Sequence, residues 1–360
     1  MLELEEKEQK RIKRLTNKTF QFDKRFKEGY YSANYFLKTR KIVEENIPNQ
    51  ECTMQFFQRE DNVMLCGIDE VIALVKTFAN NPNDLKILAL NDGDMINANE
   101  PVLKITGRYE DFGFLESAID GILARRTSVA TNAYRVLKVT NGKKVLNMAD
   151  RQDDPYNQSG DGYAAYIAGM RLFSTDACGK WTGLTGKGTM PHALIQLCDG
   201  DIIKASECYL KTYPNDQITA LIDYNNDVVN DTLKLARHLK NKLGCVRVDT
   251  SKSLIDHWFD DKDTTGFDPH GVCKELIFAL RQQLDAEGFN HVKICVSSSF
   301  DAKKIKDFED NKVPVDIYGV GTSLLKINVG FTGDLVKLNG KDQAKEGRYD
   351  IPSDRLEIVE

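Results

Sequence analysis

The sequence predicts an α/β protein made of a small N-terminal α+β domain followed by a larger α/β barrel. At 360 residues the chain exceeds one ordinary domain, so two are the default. Residues 51–109 read mostly as strands and turns around one helix. After a long helix that opens at Phe114, short apolar runs ending in polar or glycyl residues recur between helical stretches. Strand, loop, helix, strand repeated six or seven times means a parallel sheet, and at that count a barrel.

Taken in order, residues 1 to about 30 read as a highly charged helix, with Glu3 to Arg14 a solvated face. Tyr30-Tyr31-Ser32-Ala33-Asn34-Tyr35-Phe36-Leu37-Lys38-Thr39 packs aromatics with small residues, which fits an active-site lip or a domain seam. Thr53 to Phe57 alternates loosely as a strand, Asn91-Asp92-Gly93-Asp94 is a turn cluster, and Glu100 to Gly107 is a second strand. A helix over Ile68–Phe78 interrupts them, with Ile72, Leu74, Val75 and Phe78 on its apolar face. The long helix runs from Phe114 through Arg125-Arg126 to about Val136. Barrel strands follow at 144–148, 171–174, 218–223, 245–249, 292–296 and 315–319, with helices over 226–242 and 271–286. The expected division is 1–130 for the first domain with its linking helix, 131–335 for the barrel, and a tail, 336–360, that packs back on the first domain.

Composition narrows the class. With 41% apolar and 29% charged residues, the chain is that of a globular protein able to bury a full core. No apolar run approaches the roughly 18 residues of a membrane span, and the first residues lack the hydrophobic region of a signal peptide. The eight cysteines form no C-x-x-C pair, so a structural zinc site has little support. Cys245 and Cys295 sit in apolar strand runs as small hydrophobes, and the compartment expected is the reducing cytosol. A net charge of −5 argues against duplex nucleic acid as a partner.

Chemistry gathers after the barrel runs. Arg151, Asp176, His192, Asp223, Asp249, Asp301 and Gly321 each follow one, and in barrels the loops at the carboxyl ends of the strands build the active site. Gly188-Thr189-Met190-Pro191-His192 closes a glycine-rich run. Glycines at this density let backbone approach a ligand, and the Thr189 hydroxyl suits phosphate. The imidazole of His192 could act as a base, a metal ligand or a nucleophile toward phosphorus. Gly319-Val320-Gly321-Thr322-Ser323 ends a strand in two glycines and two hydroxyls, the makings of a phosphate nest at a helix N-terminus. Ser298 and Ser299 stand at the preceding strand end to share that phosphate. Arg151, Arg247 and Lys187 supply positive charge for pyrophosphate or carboxylate oxygens. Asp223 and Asp249 either hold Mg²⁺, face a developing cation, or serve only as helix caps or strand-end ion-pair partners.

On these residues the chain resembles nicotinate phosphoribosyltransferase, one of the type II phosphoribosyltransferases. The resemblance rests on Tyr35-Phe36-Leu37-Lys38-Thr39, Glu100-Pro101-Val102-Leu103, Leu115-Glu116-Ser117 and Ala130-Thr131-Asn132. It continues through Asp161 to Tyr166, Gly188 to His192, Arg247-Val248-Asp249-Thr250 and Gly319 to Thr322. It implies an N-terminal α/β sandwich, an irregular, incomplete seven-stranded α/β barrel, and a homodimer in the cytoplasm. It also implies condensation of nicotinate with phosphoribosyl pyrophosphate to nicotinate mononucleotide and pyrophosphate, with Mg²⁺. ATP hydrolysis would be coupled through a phosphohistidine at the position of His192, and Tyr35 would stack on the pyridine ring.

Two departures bear on the substrate. Arg151 is followed by Gln152 where the family often has paired arginines, and Ser174-Thr175-Asp176 stands where many nicotinate enzymes have Gly-Thr-Ser. An acid at that place is what nicotinamide-using relatives employ to hold the amide. The competing readings are therefore a nicotinamide-using enzyme, a quinolinate-using enzyme that needs no phosphorylated histidine, and a catalytically silent nucleotide-binding homologue.

Overall fold

The computed structural model describes residues 14–188 and 190–359. In chain order the strands are β1 (Glu51–Gln58), β2 (Val63–Met64), β3 (Lys86–Ala89), β4 (Met95–Ile96) and β5 (Leu103–Arg108). They continue with β6 (Lys144–Asn147), β7 (Leu172–Phe173), β8 (Ile218–Leu221), β9 (Leu243–Val248), β10 (Lys293–Val296) and β11 (Ile317–Val320). The last are β12 (Phe331–Leu338), β13 (Lys341–Asp342) and β14 (Glu357–Ile358). The described chain divides into two compact units. One comprises 14–134, 159–169 and 325–359, the other 135–158 and 170–324.

The first unit is built on a six-stranded sheet in the order β13-β12-β1-β5-β3-β14, and every pairing in it is antiparallel. β1 lies between β12 and β5 and is buried along its length except at Glu51; Cys52, Met54 and Phe56 on one face join the apolar core, while Thr53 and Gln55 on the other are buried polar groups. The helix Ile68–Phe78 forms where its 3.6-residue apolar spacing predicts, with Ile72, Leu74, Val75 and Phe78 all buried. Gly67, in the left-handed region at φ +103°, turns the chain into it, and Asp92 Oδ1 accepts the Ile68 N–H at 2.8 Å. The expected charged helix near the start is a correction. Its residues 1–13 lie outside the described residues, and from 14 to 33 the chain holds only a 3₁₀ turn at Lys24–Glu28. The Arg14 side chain and the Leu15 N–H are spent on Asp69, at 3.0 and 2.8 Å, so tertiary contacts replace the helical ladder there.

This unit buries an ionic cluster. Arg126 donates to Glu70 at 2.7 and 3.2 Å and to Asp161 at 3.3 Å, and Arg125 donates to Asp161 at 2.9 and 2.7 Å. A Cβ at Gly160 would fall 1.9 Å from Arg126 Cζ, so the helix Gln158–Ile167 needs a glycine there to admit the guanidinium.

Elsewhere in the unit, burial pushes the Glu116 carboxyl up to about 8 and that of Asp120 to about 7. The unfolded chain gives up these protons near pH 4, so from there to about pH 8 the folded state binds more protons and stability falls as pH rises. The double variant Glu116→Gln, Asp120→Asn is expected to flatten that decline in urea unfolding measured from about pH 5 to about pH 8. A variant whose midpoint falls as steeply as that of the wild type contradicts the assignment.

The second unit is a six-stranded sheet, all parallel, in the order β7-β6-β11-β10-β9-β8. β8 to β11 follow each other with a helix in each connection: Val228–Leu239, Lys274–Ala286 and Ala302–Asp310. β6 then pairs with β11, which brings the start of the unit beside its end. The seven-stranded expectation is corrected to six among the described residues, with β7 and β8 as open edges. Beside β7, the glycine- and threonine-rich stretch 182–188 makes one backbone bond to it, from Lys187 N–H to Phe173 O at 2.7 Å, and forms no strand. No helix among the described residues is long and apolar enough to cross a membrane.

Candidate active site at the carboxyl ends of the parallel strands

Because all six strands run the same way, their carboxyl ends share one edge of the sheet. From β8 inward to β7, the residues that follow them are Asp223, Asp249, Ser297 to Ser299, Gly321 to Ser323, Arg151, and Asp176. Strand order thus sets acids at one end, a small-residue loop in the middle and a cation beyond it.

The acidic end is built around His192. It opens the short helix His192–Leu197, and its Nε2 lies 3.1 Å from Asp223 Oδ2. The imidazole is half exposed, while the Asp223 side chain is 7% exposed. Burial raises the Asp223 carboxyl above its ordinary value. The opposed charge of His192 counters this, and the like charge of Asp249 adds to it. Asp223 Oδ1 is buried with no hydrogen-bond partner. On the neighbouring strand end, Asp249 Oδ1 accepts from Ser297 Oγ at 2.8 Å and Oδ2 lies 3.6 Å from the buried Arg247 guanidinium. Asp249 therefore has the strand-end ion pair considered from the sequence, whereas Asp223 caps nothing and faces the histidine. Asp301 is different again: its carboxylate accepts the Lys304 N–H at 2.9 Å and caps the helix Ala302–Asp310.

In the middle, Ser298 and Ser299 adopt φ of +74° and +59°, so their backbone turns sharply at the end of β10. Gly319 lies within β11, where a Cβ would come 2.6 Å from Met148 Sδ and 3.0 Å from Ser297 Cβ. At Gly321 it would come 3.2 Å from the Met148 carbonyl oxygen. The expected helix N-terminus after this loop is a single 3₁₀ turn, Thr322–Leu325, closed by Leu324 N–H on Gly321 O at 2.9 Å. Thr322 Oγ1 donates to Gln152 Oε1 at 2.7 Å and Ser323 Oγ to Phe300 O at 3.1 Å. Gln152 thus ties the loop after β6 to the loop after β11.

At the other end, Arg151 is exposed on the 3₁₀ turn Ala149–Arg151. Asp176 Oδ1 accepts the Gly186 N–H at 2.8 Å. The glycine run, read as a route for close ligand approach, is used in part for its own packing. A Cβ at Gly179 would meet Leu184 O at 1.9 Å, and one at Gly186 would meet Thr175 C at 2.8 Å, whereas Gly188 has open space. Thr189 lies outside the described residues, and Lys187 is exposed. Tyr35 belongs to the other unit, on the helix Asn34–Asn46, with 64% of its surface exposed.

Sequence reasoning gave no role to Ser297, which holds Asp249, or to Thr250, whose buried Oγ1 has no hydrogen-bond partner and which it named only within the motif Arg247 to Thr250. It missed Asp150, which accepts from Ser174 Oγ at 2.6 Å. The three-serine run at 297–299 was the available signal for the first, and nothing local marks Asp150.

Comparison with known proteins bears on the fold and on the resemblance. The family described as quinolinate phosphoribosyl transferase, N-terminal domain, matches residues 34–127. A nicotinate phosphoribosyltransferase of Mycobacterium tuberculosis, pncB2, is 23% identical over 292 residues, covering 73% of this chain and 58% of that protein. The nicotinate phosphoribosyltransferase of Bacillus subtilis is 23% identical over 241 residues, covering 66% of this chain and 45% of its own length. The chain thus spans about half the length of the curated relatives it matches. Among solved structures, the nicotinate-nucleotide pyrophosphorylase from Pyrococcus furiosus superposes with a TM-score of 0.80 at 28% identity, over 97% of this chain and 86% of that one. Human nicotinic acid phosphoribosyltransferase gives a TM-score of 0.66 at 15% identity, over 87% and 76%. The fold is that of the type II phosphoribosyltransferases, and the resemblance to nicotinate phosphoribosyltransferase carried by the sequence motifs is found again among the chain's relatives.

Proposed function

We propose that this chain transfers the phosphoribosyl group of phosphoribosyl pyrophosphate to nicotinate, giving nicotinate mononucleotide and pyrophosphate in NAD salvage, and that ATP hydrolysis is coupled through a phosphohistidine at His192. The observation that carries this reading is the His192–Asp223 pair at the rim, beside Asp249. A pyridine nitrogen needs no general base, so a histidine held there is better employed as a nucleophile toward phosphorus. Asp223 on Nε2 selects the tautomer that leaves Nδ1 as the attacking nitrogen, which displaces ADP from the γ-phosphorus of ATP.

The remaining residues take the donor and acceptor. The Gly319–Thr322 loop with Ser298 and Ser299 receives the 5′-phosphate through backbone N–H groups, and Asp249 faces the cationic character that develops at the anomeric carbon. Arg151 and Arg247 are the candidates for the nicotinate carboxylate and the departing pyrophosphate, and Tyr35 for stacking on the pyridine. The partnerless Asp223 Oδ1 and the adjacent Asp249 carboxylate fit Mg²⁺, which favours one or two carboxylates plus substrate phosphates. Bound there, the ion would neutralise pyrophosphate charge. A homodimer is part of the same reading.

The quinolinate-using reading is favoured by the 28% identity and near-complete coverage of the Pyrococcus furiosus pyrophosphorylase. One assay separates the two: pyrophosphate release with nicotinate, nicotinamide or quinolinate, each with and without ATP. Nicotinate is expected to be preferred, with ATP raising the rate, since a charge pair formed in a dry site is lost with the amide. A higher kcat/KM for nicotinamide would implicate Asp176, and ATP-independent use of quinolinate would replace the proposal.

A further inference from the structure

The turn that follows β6 is fixed from three directions. Asn147, the last residue of that strand, is buried, and its Oδ1 accepts the Ala149 N–H at 3.0 Å. The 3₁₀ turn Ala149–Arg151 then closes where the Gln152 N–H donates to Ala149 O at 3.0 Å. Toward β7, the neighbour of β6 on one side, Asp150 Oδ1 accepts from Ser174 Oγ at 2.6 Å. On the same side the Asp150 carbonyl accepts from Gln158 Nε2 at 3.0 Å, and Gln158 Oε1 accepts from Thr175 Oγ1 at 2.7 Å. Toward β11, the neighbour on the other side, Gln152 Oε1 accepts from Thr322 Oγ1 at 2.7 Å. All of these residues belong to one compact unit.

Within this frame one long side chain is left untied. Arg151 is exposed, and its guanidinium forms no hydrogen bond or ion pair among the described residues. Asp150 and Gln152, on either side of it, spend their side chains on the adjacent strand ends instead. The Asp150 carbonyl belongs to the peptide plane that includes the Arg151 nitrogen, so Gln158 fixes that plane directly. The bond from the Ser174 hydroxyl to the Asp150 carboxylate is short and charge-assisted, one of the stronger kinds available. A guanidinium carried on backbone held in this way loses less freedom on meeting an anion than one on a loose loop.

We propose that Asp150, with Gln158 behind it, is a positioning residue that presents Arg151 to the carboxylate of the pyridine substrate. The inference rests on the proposed function, which gives that carboxylate to Arg151 or Arg247, and it selects Arg151. The Arg247 guanidinium already has the Asp249 carboxylate 3.6 Å away, whereas the charge of Arg151 is answered by no acid among the described residues. Asp150 itself touches no substrate atom. It acts through the peptide it shares with Arg151 and through the bond that ties the turn to the end of β7. A role in folding alone would weaken both substrates together or lower the melting temperature, and a positioning role weakens one substrate only.

The test compares steady-state kinetics of the full chain and its variants, with thermal unfolding as the control. Asp150→Ala is expected to raise the KM for nicotinate about tenfold, with kcat and the KM for phosphoribosyl pyrophosphate within about twofold of wild type. Ser174→Ala should do the same to a lesser degree. Asp150→Asn still accepts from the Ser174 hydroxyl and should bring the KM for nicotinate back toward wild type. In an Arg151→Ala background Asp150→Ala should change nothing further, since a positioning residue has no effect without the group it positions. Equal loss in both KM values, failure of Asp150→Asn to rescue, or an additive effect on Arg151→Ala overturns the proposal. Hydrogen exchange needs no turnover: the amides of residues 149–152 should exchange faster in Asp150→Ala than in wild type, and equal exchange also overturns it. If the wild type releases pyrophosphate with no pyridine carboxylic acid, the proposed function falls, while exchange still decides whether Asp150 holds the Arg151 turn.

Discussion

His192→Asn is expected to abolish ATP hydrolysis and phosphate labelling while leaving a weak, ATP-independent transfer. Asparagine reaches only to the level of Nδ1, so the bond that His192 Nε2 makes to Asp223 Oδ2 at 3.1 Å is lost together with the nucleophilic nitrogen, while the half-exposed position leaves the surrounding packing little changed. In the wild type, phosphorylation would add about two negative charges at the acidic end of the rim, able to organise Mg²⁺ and the ribosyl donor. Removing the nitrogen removes that charge but not the ribose and pyridine contacts, hence the residual rate. Asp223→Asn, which disturbs the tautomer without deleting the nucleophile, should slow labelling by a factor on the order of 10²–10⁴. Radiophosphate labelling with ATP should give a single acid-labile phosphate on the wild type and none on His192→Asn. Equal labelling of both proteins would exclude His192.

Much of this architecture was legible because local pattern and burial agree. The helix Ile68–Phe78 appears with the same bounds that its apolar spacing sets, and all six barrel runs become strands whose ends shift by at most two residues. What local pattern could not separate was the fate of three similar acids. Asp223, Asp249 and Asp301 each follow a strand, yet one meets a histidine 31 positions earlier, one a serine 48 positions later, and one the amide three residues on. Only the last partnership is short-range, and sequence alone leaves metal, cation, helix-cap and ion-pair roles open alike for Asp223 and Asp249. The glycine run shows the same limit. Its composition suggests a close ligand approach, but at Gly186 the backbone that comes close is that of Thr175 and Asp176. The helical expectation for residues 14 to about 30 failed for a third reason. Helix propensity is a weak prior, and the Arg14 and Leu15 groups find Asp69 instead.

Gly321→Val should weaken phosphoribosyl pyrophosphate binding at least about tenfold (~1.4 kcal/mol) with little change in fold. The two glycines of this loop make different demands. At Gly319 an added Cβ would meet Met148 Sδ and Ser297 Cβ inside β11, so substitution there forces buried groups apart and is expected to destabilise the unit. Gly321 lies past the strand end and is only half-buried, and its added Cβ would meet the Met148 carbonyl oxygen at 3.2 Å. A backbone oxygen cannot swing away as a side chain does, so the branched valine must displace the loop toward the open rim, where the phosphate is to be received. Gly321→Ala, with one methyl in the same tight spot, should give a smaller loss, and the series then reads as graded crowding. Calorimetric titration on folded proteins, with thermal unfolding as the control, measures both effects. A Gly321→Val protein with wild-type affinity and an unchanged melting temperature would mean that the phosphate is held elsewhere on the rim.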